Sequence, residues 1–414
     1  MVIWLYLYLV NAKVPKILYI GNDEPFLETS NEPDYEANEL ITKYIKSDEN
    51  IENVIYEFNP DSILTISSNT TEDFPKLLNL SAEFRRKWYN LEEPCDNMGD
   101  IAYNVAMNNM LNYDNTDIIS WVTSMYNTGK MLHRTYQSLK NQTNKNWEWI
   151  LGNDSTDDIT LDIANEIARN DPRVKVYDFS PKSGGIIGEA KYRAMAMAKG
   201  FILAEFDHDD YLTPNVNQML YDATKIHPDA GFYYTDSAEV DEYWNSLTYA
   251  DGWALDYGKY YTEVALGHEF TVAASSHINP KTIRHIVGIP NHVRAWRREV
   301  YFDIGGQNRG LSIADDYEII IRTFLKTKMC GIRNLGYIQF MHDGSDKTNT
   351  QDVARADIQR RVNTIMYHYN EQIVKRFEEL GVEDWAYKEN PDNPLAVESR
   401  FGDEEGYVNY SIKF

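Results

Sequence analysis

The chain has 414 residues, of which 43% are hydrophobic and 25% charged, and its formal net charge is −24 at pH 7. This length predicts two or three domains, and the composition is ordinary for a soluble globular protein. The acidic charge excludes the basic stripe that a nucleic-acid-binding surface needs, so local cations or a metal would have to hold an anionic substrate. The two cysteines, Cys95 and Cys330, are far apart in the sequence and form no disulfide framework, which favours reduced thiols and a cytoplasmic location.

Residues 1–115 are predicted to form a small α/β domain with a structural or interaction role. Residues 1–10 are apolar but only about half as long as a membrane span, so we predict a buried strand, with a peripheral membrane contact as the alternative. Apolar runs predict further strands over residues 16–20, 53–58 and 62–66. Helical spacing predicts helices over residues 36–45, 82–89 and 100–111. No glycine-rich phosphate loop accompanies these elements.

After a polar joint at residues 113–117, strands and helices alternate, which predicts a parallel, doubly wound sheet. The strands are predicted over residues 118–124, 146–151, 173–177 and 200–206. Helices are predicted between these strands over residues 130–139 and 189–199. A third helix follows the polar cluster at 152–158 and ends at residue 169. Ligands of such sheets bind beyond the carboxyl ends of the strands. Polar clusters follow at these ends, over residues 124–128, 152–158 and 207–210.

The apolar strand over residues 200–206 runs directly into three acids, Asp207, Asp209 and Asp210. Acids this close repel one another, and a divalent cation would neutralise them. Oxygen ligands favour Mg²⁺ or Mn²⁺ over Zn²⁺, and the open positions of such an ion fit a diphosphate. The alternative is a solvated acidic turn, but the convergence of polar strand ends favours the metal site.

Segments of this series resemble motifs of the inverting family 2 glycosyltransferases. The strand over residues 121–127 ends in Tyr126 and Asn127, as the opening strand of that family commonly does. The turn over residues 153–158 is similar to the family's Asp-Asp-Gly-Ser-Thr-Asp turn, although the first aspartate and the glycine are replaced. The resemblance makes Asp154 the acid that contacts the nucleotide base, with the Tyr126–Asn127 turn beside it.

The resemblance continues to about residue 345. A helix start that usually carries Ala-Arg-Asn has Lys191 where arginine is usual, and Lys191 or Arg193 is expected near the donor phosphates. Asp207 and Asp209, followed by Pro214, match the family's metal-binding Asp-x-Asp motif and its trailing proline. The resemblance therefore implies that these two acids hold the metal.

Two histidines belong to the same prediction. His342 follows a predicted strand over residues 336–341, and the family often places a late histidine on the metal, although a lone histidine is more often structural. His208 lies between Asp207 and Asp209, and alternation along an extended chain would turn it away from the metal. We place His208 among the candidates for donor binding.

Asp315 and Asp316 precede an amphipathic stretch over residues 317–325 and are similar to the family's Glu-Asp segment. The resemblance makes Asp316 the catalytic base; the alternative is a helix N-cap. A helix dipole favours ionised carboxylates at this position. Asp315 opposes full ionisation and would raise the pKa of the pair.

The acceptor is predicted to bind in the basic segment over residues 291–298. Arg294 and Trp296 could bind a sugar and its phosphate by charge and by ring stacking. The alternative is a basic helix start that packs on the acidic surface.

Together these features predict a metal-dependent, inverting glycosyltransferase with a nucleotide-sugar donor, usually UDP-linked, a glycan or other hydroxyl acceptor, and Mn²⁺ or Mg²⁺. The domains would be the α/β unit over 1–115, a GT-A domain with a doubly wound mixed sheet over 116–350, and a C-terminal helix with an acidic tail over 351–414. No transmembrane segment is predicted. Two alternatives stay open: a nucleotidyltransferase, and an inactive carbohydrate-binding protein, which the departures at Asn153, Ser155 and Lys191 allow.

Overall fold

The computed structural model describes residues 16–21, 41–46, 50–67, 77, 84, 87–91, 118–249, 253–341, 350–397 and 410–414. The chain divides into two compact units, Met1–Thr116 and Asp117–Phe414. The predicted strand over residues 1–10 and the predicted helix over residues 100–111 lie outside the described residues.

Within its described residues, the first unit contains a parallel four-stranded sheet in the order β2-β1-β3-β4. Its elements are β1 (Lys16–Ile20), β2 (Ile41–Ile45), α1 (Ile51–Phe58), β3 (Ser62–Ile66) and β4 (Trp88–Leu91). The predicted strands β1 and β3 are confirmed. Their buried side chains form a small apolar core with one face of α1.

Two predictions for this unit are wrong, and a third is wrong only at its end, since Phe84 is helical. The segment ending at Ile45 was expected to be a helix, but it pairs with β1 as a parallel strand. The segment after Asn50 was expected to be a strand, but it forms α1, because the Asn50 side chain accepts a hydrogen bond from the Asn53 N–H and starts the helix. The helix expected over residues 82–89 overlaps β4 at its end. Short apolar runs fit the periodicity of a helix as well as that of a strand. Pairing with β1 decided in favour of a strand for Ile41–Ile45.

The second unit begins with alternating strands and helices. These elements are β5 (Ile119–Met125), α2 (Met131–Lys140), β6 (Trp147–Asn153), α3 (Asp158–Asn170), β7 (Val174–Asp178), α4 (Ile187–Met197) and β8 (Ile202–Glu205). All seven lie within a few residues of their predicted positions. The four strands pair in parallel in the order β8-β5-β6-β7, so their carboxyl ends meet at one edge of the sheet.

The remaining elements extend this sheet on the other side of β8. They are β9 (Tyr211–Leu212), α5 (Val216–Ile226), β10 (Ala230–Val240), β11 (Ser246–Leu247), β12 (Lys259–Ala265), β13 (His268–Ala274), α6 (Thr282–His285), β14 (Arg294–Arg297), α7 (Arg298–Asp303), α8 (Asp315–Lys326), β15 (Lys328–Phe340), α9 (Thr350–Glu379), α10 (Trp385–Glu389) and β16 (Tyr410–Ile412). In the described part of the chain this sheet has twelve strands. β14 runs antiparallel between β8 and β10, which makes the sheet mixed.

Both faces of the central strands are buried. Trp121 and Trp149 belong to an apolar cluster on one face, whereas their neighbours Val122 and Ile150 belong to a cluster on the other. A strand covered on both faces must be apolar at every position, which is why these strands were recognisable as continuous apolar runs. Polar residues are therefore concentrated at the strand ends.

The C-terminal segment packs on the second unit. Phe377 of α9 lies 5.0 Å from Phe324 of α8, measured between ring centroids. β16 pairs in parallel with β15 and extends the sheet, so the end of the predicted acidic tail is a strand. None of the helices in the described ranges combines the length and the apolar character needed to cross a membrane.

Candidate active site

The turn after β8 carries the acids that the sequence analysis assigned to a metal. Asp210 is buried, and its carboxylate accepts hydrogen bonds from the Tyr337 hydroxyl at 2.7 Å and from the Phe340 N–H at 2.8 Å. Burial and the neighbouring Asp209 and Asp207 carboxylates raise the pKa of Asp210. Asp210 therefore anchors the turn to β15.

Asp207 and Asp209 are more open, with 39% and 21% of their side chains exposed. A guanidinium N–H of Arg134 donates to the Asp209 carbonyl oxygen at 2.7 Å, which holds the turn against α2. Two open carboxylates suit the oxygen preference of Mg²⁺ or Mn²⁺. Among the described residues no three His, Cys, Asp or Glu side chains are grouped to hold a metal, and His342, the third predicted ligand, lies outside those residues.

Two histidines contact these acids. The buried His292 places Nε2 3.3 Å from Asp207 Oδ2 and stacks on Tyr337 with 4.6 Å between ring centroids. Burial lowers the pKa of His292 to about 3, so a neutral imidazole faces Asp207. His208 Nδ1 lies 3.8 Å from Asp209 Oδ1. This segment is a turn and not an extended strand, so the expectation that alternation directs His208 away from the metal acids is wrong.

The predicted base lies at the first turn of α8. The N-cap position is Ala314, with a left-handed φ of 60°, so Asp316 is the second residue of the helix and not its cap. Asp316 Oδ1 accepts a hydrogen bond from the Tyr317 N–H at 2.8 Å, and Oδ2 lies 3.3 Å from Arg294 Nη2. About a quarter of its side chain is exposed, at 25%. Asp316 is therefore accessible to a substrate while it is paired with a buried cation.

The two acids of this pair are in different electrostatic environments. Burial raises the pKa of Asp316, but the positive charges of Arg294 and Lys191 outweigh it and leave the pKa below its usual range. Burial raises the pKa of Asp315 to about 6 against the opposing charge of Lys191. The expectation of a raised pKa thus applies to Asp315 and is wrong for Asp316. At neutral pH Asp316 is a carboxylate that can accept a proton.

Sequence analysis missed Glu205, the last residue of β8. It is 3% exposed, and its Oε2 lies 3.1 Å from Arg294 Nη1. Its Oε1 lies 3.5 Å from Lys191 Nζ and accepts a hydrogen bond from Gln307 Nε2 at 2.6 Å. An acid inside an otherwise apolar strand was the available signal, because a buried carboxylate requires cationic partners.

The two predicted acceptor residues are internal. Arg294 is 3% exposed and spans Glu205 and Asp316. Trp296 is fully buried; its indole N–H donates to Thr323 Oγ1 at 2.8 Å, and its ring centroid lies 4.9 Å from that of Phe232. No face of this ring can stack on a bound sugar, so the acceptor role of Trp296 is wrong. The alternative of a helix start holds only at the end of this segment, because Arg294–Arg297 form the strand β14 and α7 begins at Arg298.

The predicted nucleotide-binding residues lie at the adjacent ends of β5 and β6. The Asp154 N–H donates to the carbonyl oxygen of Met125 at 3.0 Å, and its buried carboxylate accepts hydrogen bonds from the N–H and hydroxyl of Ser183. Asn127, at a positive φ of 51°, accepts the Thr156 N–H on Oδ1 at 2.9 Å. Tyr126 is 49% exposed. This edge therefore presents an exposed aromatic ring beside a buried carboxylate.

The two predicted phosphate cations of α4 differ. Lys191 Nζ lies 3.3 Å from Asp315 Oδ2, so it belongs to the acid cluster at α8. Arg193 donates to Glu189 on its own helix at 2.7 Å and to the carbonyl oxygen of Pro181 at 2.6 Å. The structure therefore brings Lys191, but not Arg193, to the predicted base.

Residues 120–283 match the sequence model described as glycosyl transferase family 2. This segment of the chain is therefore similar to glycosyl transferase family 2. The chain is 24% identical over 246 residues to the chondroitin synthase of Escherichia coli, covering 59% of this chain and 32% of that relative. It is 24% identical over 262 residues to the hyaluronan synthase of Pasteurella multocida, covering 61% of this chain and 24% of that relative. The chain thus spans about a third or less of these curated relatives.

Among solved structures, Staphylococcus aureus TarS 1–349 in complex with UDP-GlcNAc is similar to this chain. The identity is 16%, the TM-score is 0.44, and the match covers 66% of this chain and 75% of that one. The family match and the mixed sheet with helices on both faces agree with the predicted GT-A-type α/β fold, which is confirmed.

Proposed function

We propose that this protein is a metal-dependent, inverting family 2 glycosyltransferase that moves a sugar from a UDP-sugar to an acceptor hydroxyl. The observation that carries the proposal is the environment of Asp316. Its carboxylate is partly exposed, is paired with Arg294, and lies in the same charge cluster as the end of β8. A general base must be ionised at the working pH and accessible to the hydroxyl that it deprotonates, and Asp316 meets both conditions.

In the proposed reaction the acceptor oxygen forms a bond to the anomeric carbon as the bond from that carbon to the diphosphate oxygen breaks. The proton of the acceptor hydroxyl passes to the Asp316 carboxylate, and the nucleoside diphosphate leaves with the bonding electron pair. Attack from the side opposite the leaving group inverts the anomeric centre. The neighbouring Asp315, whose pKa is raised to about 6, does not compete as a base because it is buried against Lys191.

We assign the donor to the edge formed by β5, β6 and the turn after β8. Tyr126, Asn127 and Asp154 would hold the nucleotide there, with His208 beside the diphosphate. Asp207 and Asp209 would hold Mn²⁺ or Mg²⁺. When bound, such an ion offsets negative charge on the departing diphosphate.

The charge of Lys191 and the names of the relatives support two further parts of the proposal. Lys191 lies between Glu205 and Asp315, where its positive charge reduces the repulsion that these acids exert on an anionic donor. Arg193 would reach phosphate only after leaving Glu189, so we assign it a secondary role. Relatives named chondroitin synthase and hyaluronan synthase favour a glycan as the acceptor.

The Asp316→Asn variant tests the proposal because it removes the base and keeps the size of the side chain. With a panel of UDP-sugars and glycan acceptors, UDP release in Mn²⁺ should fall by a factor of about 100 or more, the usual scale for a general base. Binding of UDP, measured by calorimetry, should stay at the wild-type level. Asp162→Asn, an exposed position on α3, is the matched control.

Three outcomes would contradict the proposal. Near wild-type transfer by Asp316→Asn would remove this residue as the base. Binding of UDP-sugars by the wild type without any UDP release would indicate an inactive binding protein. Release of pyrophosphate from a nucleoside triphosphate would indicate a nucleotidyltransferase.

A further inference from the structure

Arg294 is a buried cation whose partners span two parts of the site. One guanidinium nitrogen, Nη1, lies 3.1 Å from Glu205 Oε2, and the other, Nη2, lies 3.3 Å from Asp316 Oδ2. The side chain is 3% exposed, so no solvent competes for its charge. A buried arginine is costly unless its hydrogen bonds are satisfied, and here two carboxylates satisfy it from opposite sides.

Glu205 is the fixed end of this arrangement. It is rigidly placed because it ends β8, and Gln307 donates to its Oε1 at 2.6 Å. A third N–H of Arg294, on Nε, donates to the carbonyl oxygen of Pro290 at 3.3 Å. Asp316, by contrast, is 25% exposed and belongs to the first turn of a helix. The guanidinium is therefore anchored at the strand and directed towards the helix.

We propose that Arg294, anchored by Glu205, is a positioning residue that keeps Asp316 deprotonated and orients its carboxylate towards the acceptor. The inference rests on the proposed role of Asp316 as the base. It replaces the acceptor contact expected for Arg294, since a guanidinium that is held between two carboxylates and is buried is not accessible to a sugar phosphate.

The other titratable groups around Asp316 cannot replace this contact. They come from each element packed around it, namely Lys191 of α4, Asp315 of α8, Glu205 and Asp207 at the end of β8, and His292 before β14. Lys191 is the second cation, but Glu205 and Asp315 already flank it at 3.5 and 3.3 Å. Without Arg294, three carboxylates would oppose the ionisation of Asp316, and one shared cation would favour it.

The test is the pH dependence of kcat and kcat/KM in wild type, Arg294→Gln and Arg294→Lys. An adjacent arginine lowers the pKa of an aspartate by about 1–3 units, so the loss of activity on acidification should begin about one pH unit or more higher in Arg294→Gln. The rate should recover towards the wild-type plateau as the pH rises. Arg294→Lys keeps the charge, so its acid limb should stay close to that of wild type, with a lower plateau because an ammonium cannot span both carboxylates.

Glu205→Asp is a second variant that leaves the charge of the cluster unchanged. Its side chain is one methylene shorter, which draws Arg294 away from Asp316, so the acid limb should again move to higher pH, by less than in Arg294→Gln. This variant decides the question if Arg294→Gln does not fold. UDP binding and the melting temperature are measured for each variant.

If Arg294 had a purely structural role, its loss would lower the rate by the same factor at every pH and leave the acid limb of the pH profile in place. This result in Glu205→Asp or Arg294→Gln would overturn the inference. The proposed function fails separately: it requires Asp316→Asn to be inactive. An inactive Asp316→Asn with unshifted arginine variants would leave Asp316 as the base and remove only the positioning role of Arg294.

Discussion

Three aspartates within four residues of the turn after β8 have different chemistry because their surroundings differ. Asp210 is buried and bonded to Tyr337 and to the backbone of Phe340, so it serves the fold. Asp207 and Asp209 are partly exposed, and a carboxylate that water can reach can also exchange that water for a metal. The residue types identify the acidic cluster in the sequence. Burial distinguishes the structural Asp210 from the two exposed acids that could bind a metal.

Asp209→Ala should abolish the part of UDP affinity that depends on Mn²⁺, because it removes one of two open carboxylates of the proposed metal site. Calorimetric titration of UDP, with Mn²⁺ and then with a chelator, measures this part. Asp162→Ala on the exposed face of α3 is the control and should bind as wild type does. Unchanged Mn²⁺-dependent affinity in Asp209→Ala would exclude the metal site.

Trp296 should matter for stability and not for acceptor binding. Its ring is fully buried against Phe232 and Tyr301, so Trp296→Ala should cost about 3–5 kcal/mol of unfolding free energy, as large aromatic truncations in cores do. Urea denaturation gives this number. Trp296→Phe keeps much of the packing, and its KM for the acceptor should equal that of wild type. A raised acceptor KM in a stable Trp296→Phe would restore the acceptor role.

At the scale of elements, the site depends on close packing between the start of α4 and the loop before α8. The Gly188 N–H donates to the Leu311 carbonyl oxygen at 2.9 Å. A Cβ at Gly188 would overlap the Asn308 carbonyl oxygen. Only glycine permits this approach, which sets the position of α4, and therefore of Lys191, relative to the acid pair of α8.

Gly188→Ala should force α4 and this loop apart and destabilise the fold by about 1–3 kcal/mol, the usual cost of overpacking. The rate of transfer should fall with it because Lys191 moves away from α8. Gly310→Ala in the same loop is the control; its nearest neighbour, Asn308 Oδ1, is 3.5 Å away, so stability should change by less than about 0.5 kcal/mol. Thermal melts compare the two variants. Equal melting temperatures would show that the contact is not tight in solution.

At the scale of the whole molecule, the residues of the proposed site all belong to the second unit, Asp117–Phe414. The described residues of the first unit form a parallel sheet and an apolar cluster that contains only residues of this unit. This division predicts a separation of roles: the second unit holds donor and base, and the first serves another purpose.

A chain that begins at Asn112 should therefore keep UDP binding and donor hydrolysis. The measurement is calorimetry together with UDP release, on protein whose circular dichroism shows a folded state. The full-length chain is the reference. A folded truncation without donor binding would show that residues 1–111 contribute to the site.

The sequence by itself determined the order of strands and helices in the second unit and the location of the site at its strand ends. Strands buried on both faces, such as β5 and β6, must be apolar throughout, and the polar residues that follow them stand out for that reason. The sequence did not decide the short elements of the first unit, where pairing with β1 made a strand of Ile41–Ile45.

Only the tertiary structure decided what individual site residues can do. Glu205 and Arg294 are 89 positions apart, and their contact exists because β14 inserts antiparallel beside β8. That contact makes a predicted acceptor ligand an internal cation, and the charge of this cation lowers the pKa of Asp316. Exposure and ionisation depend on neighbours that the fold brings from distant segments, whereas local sequence records only residue type and periodicity.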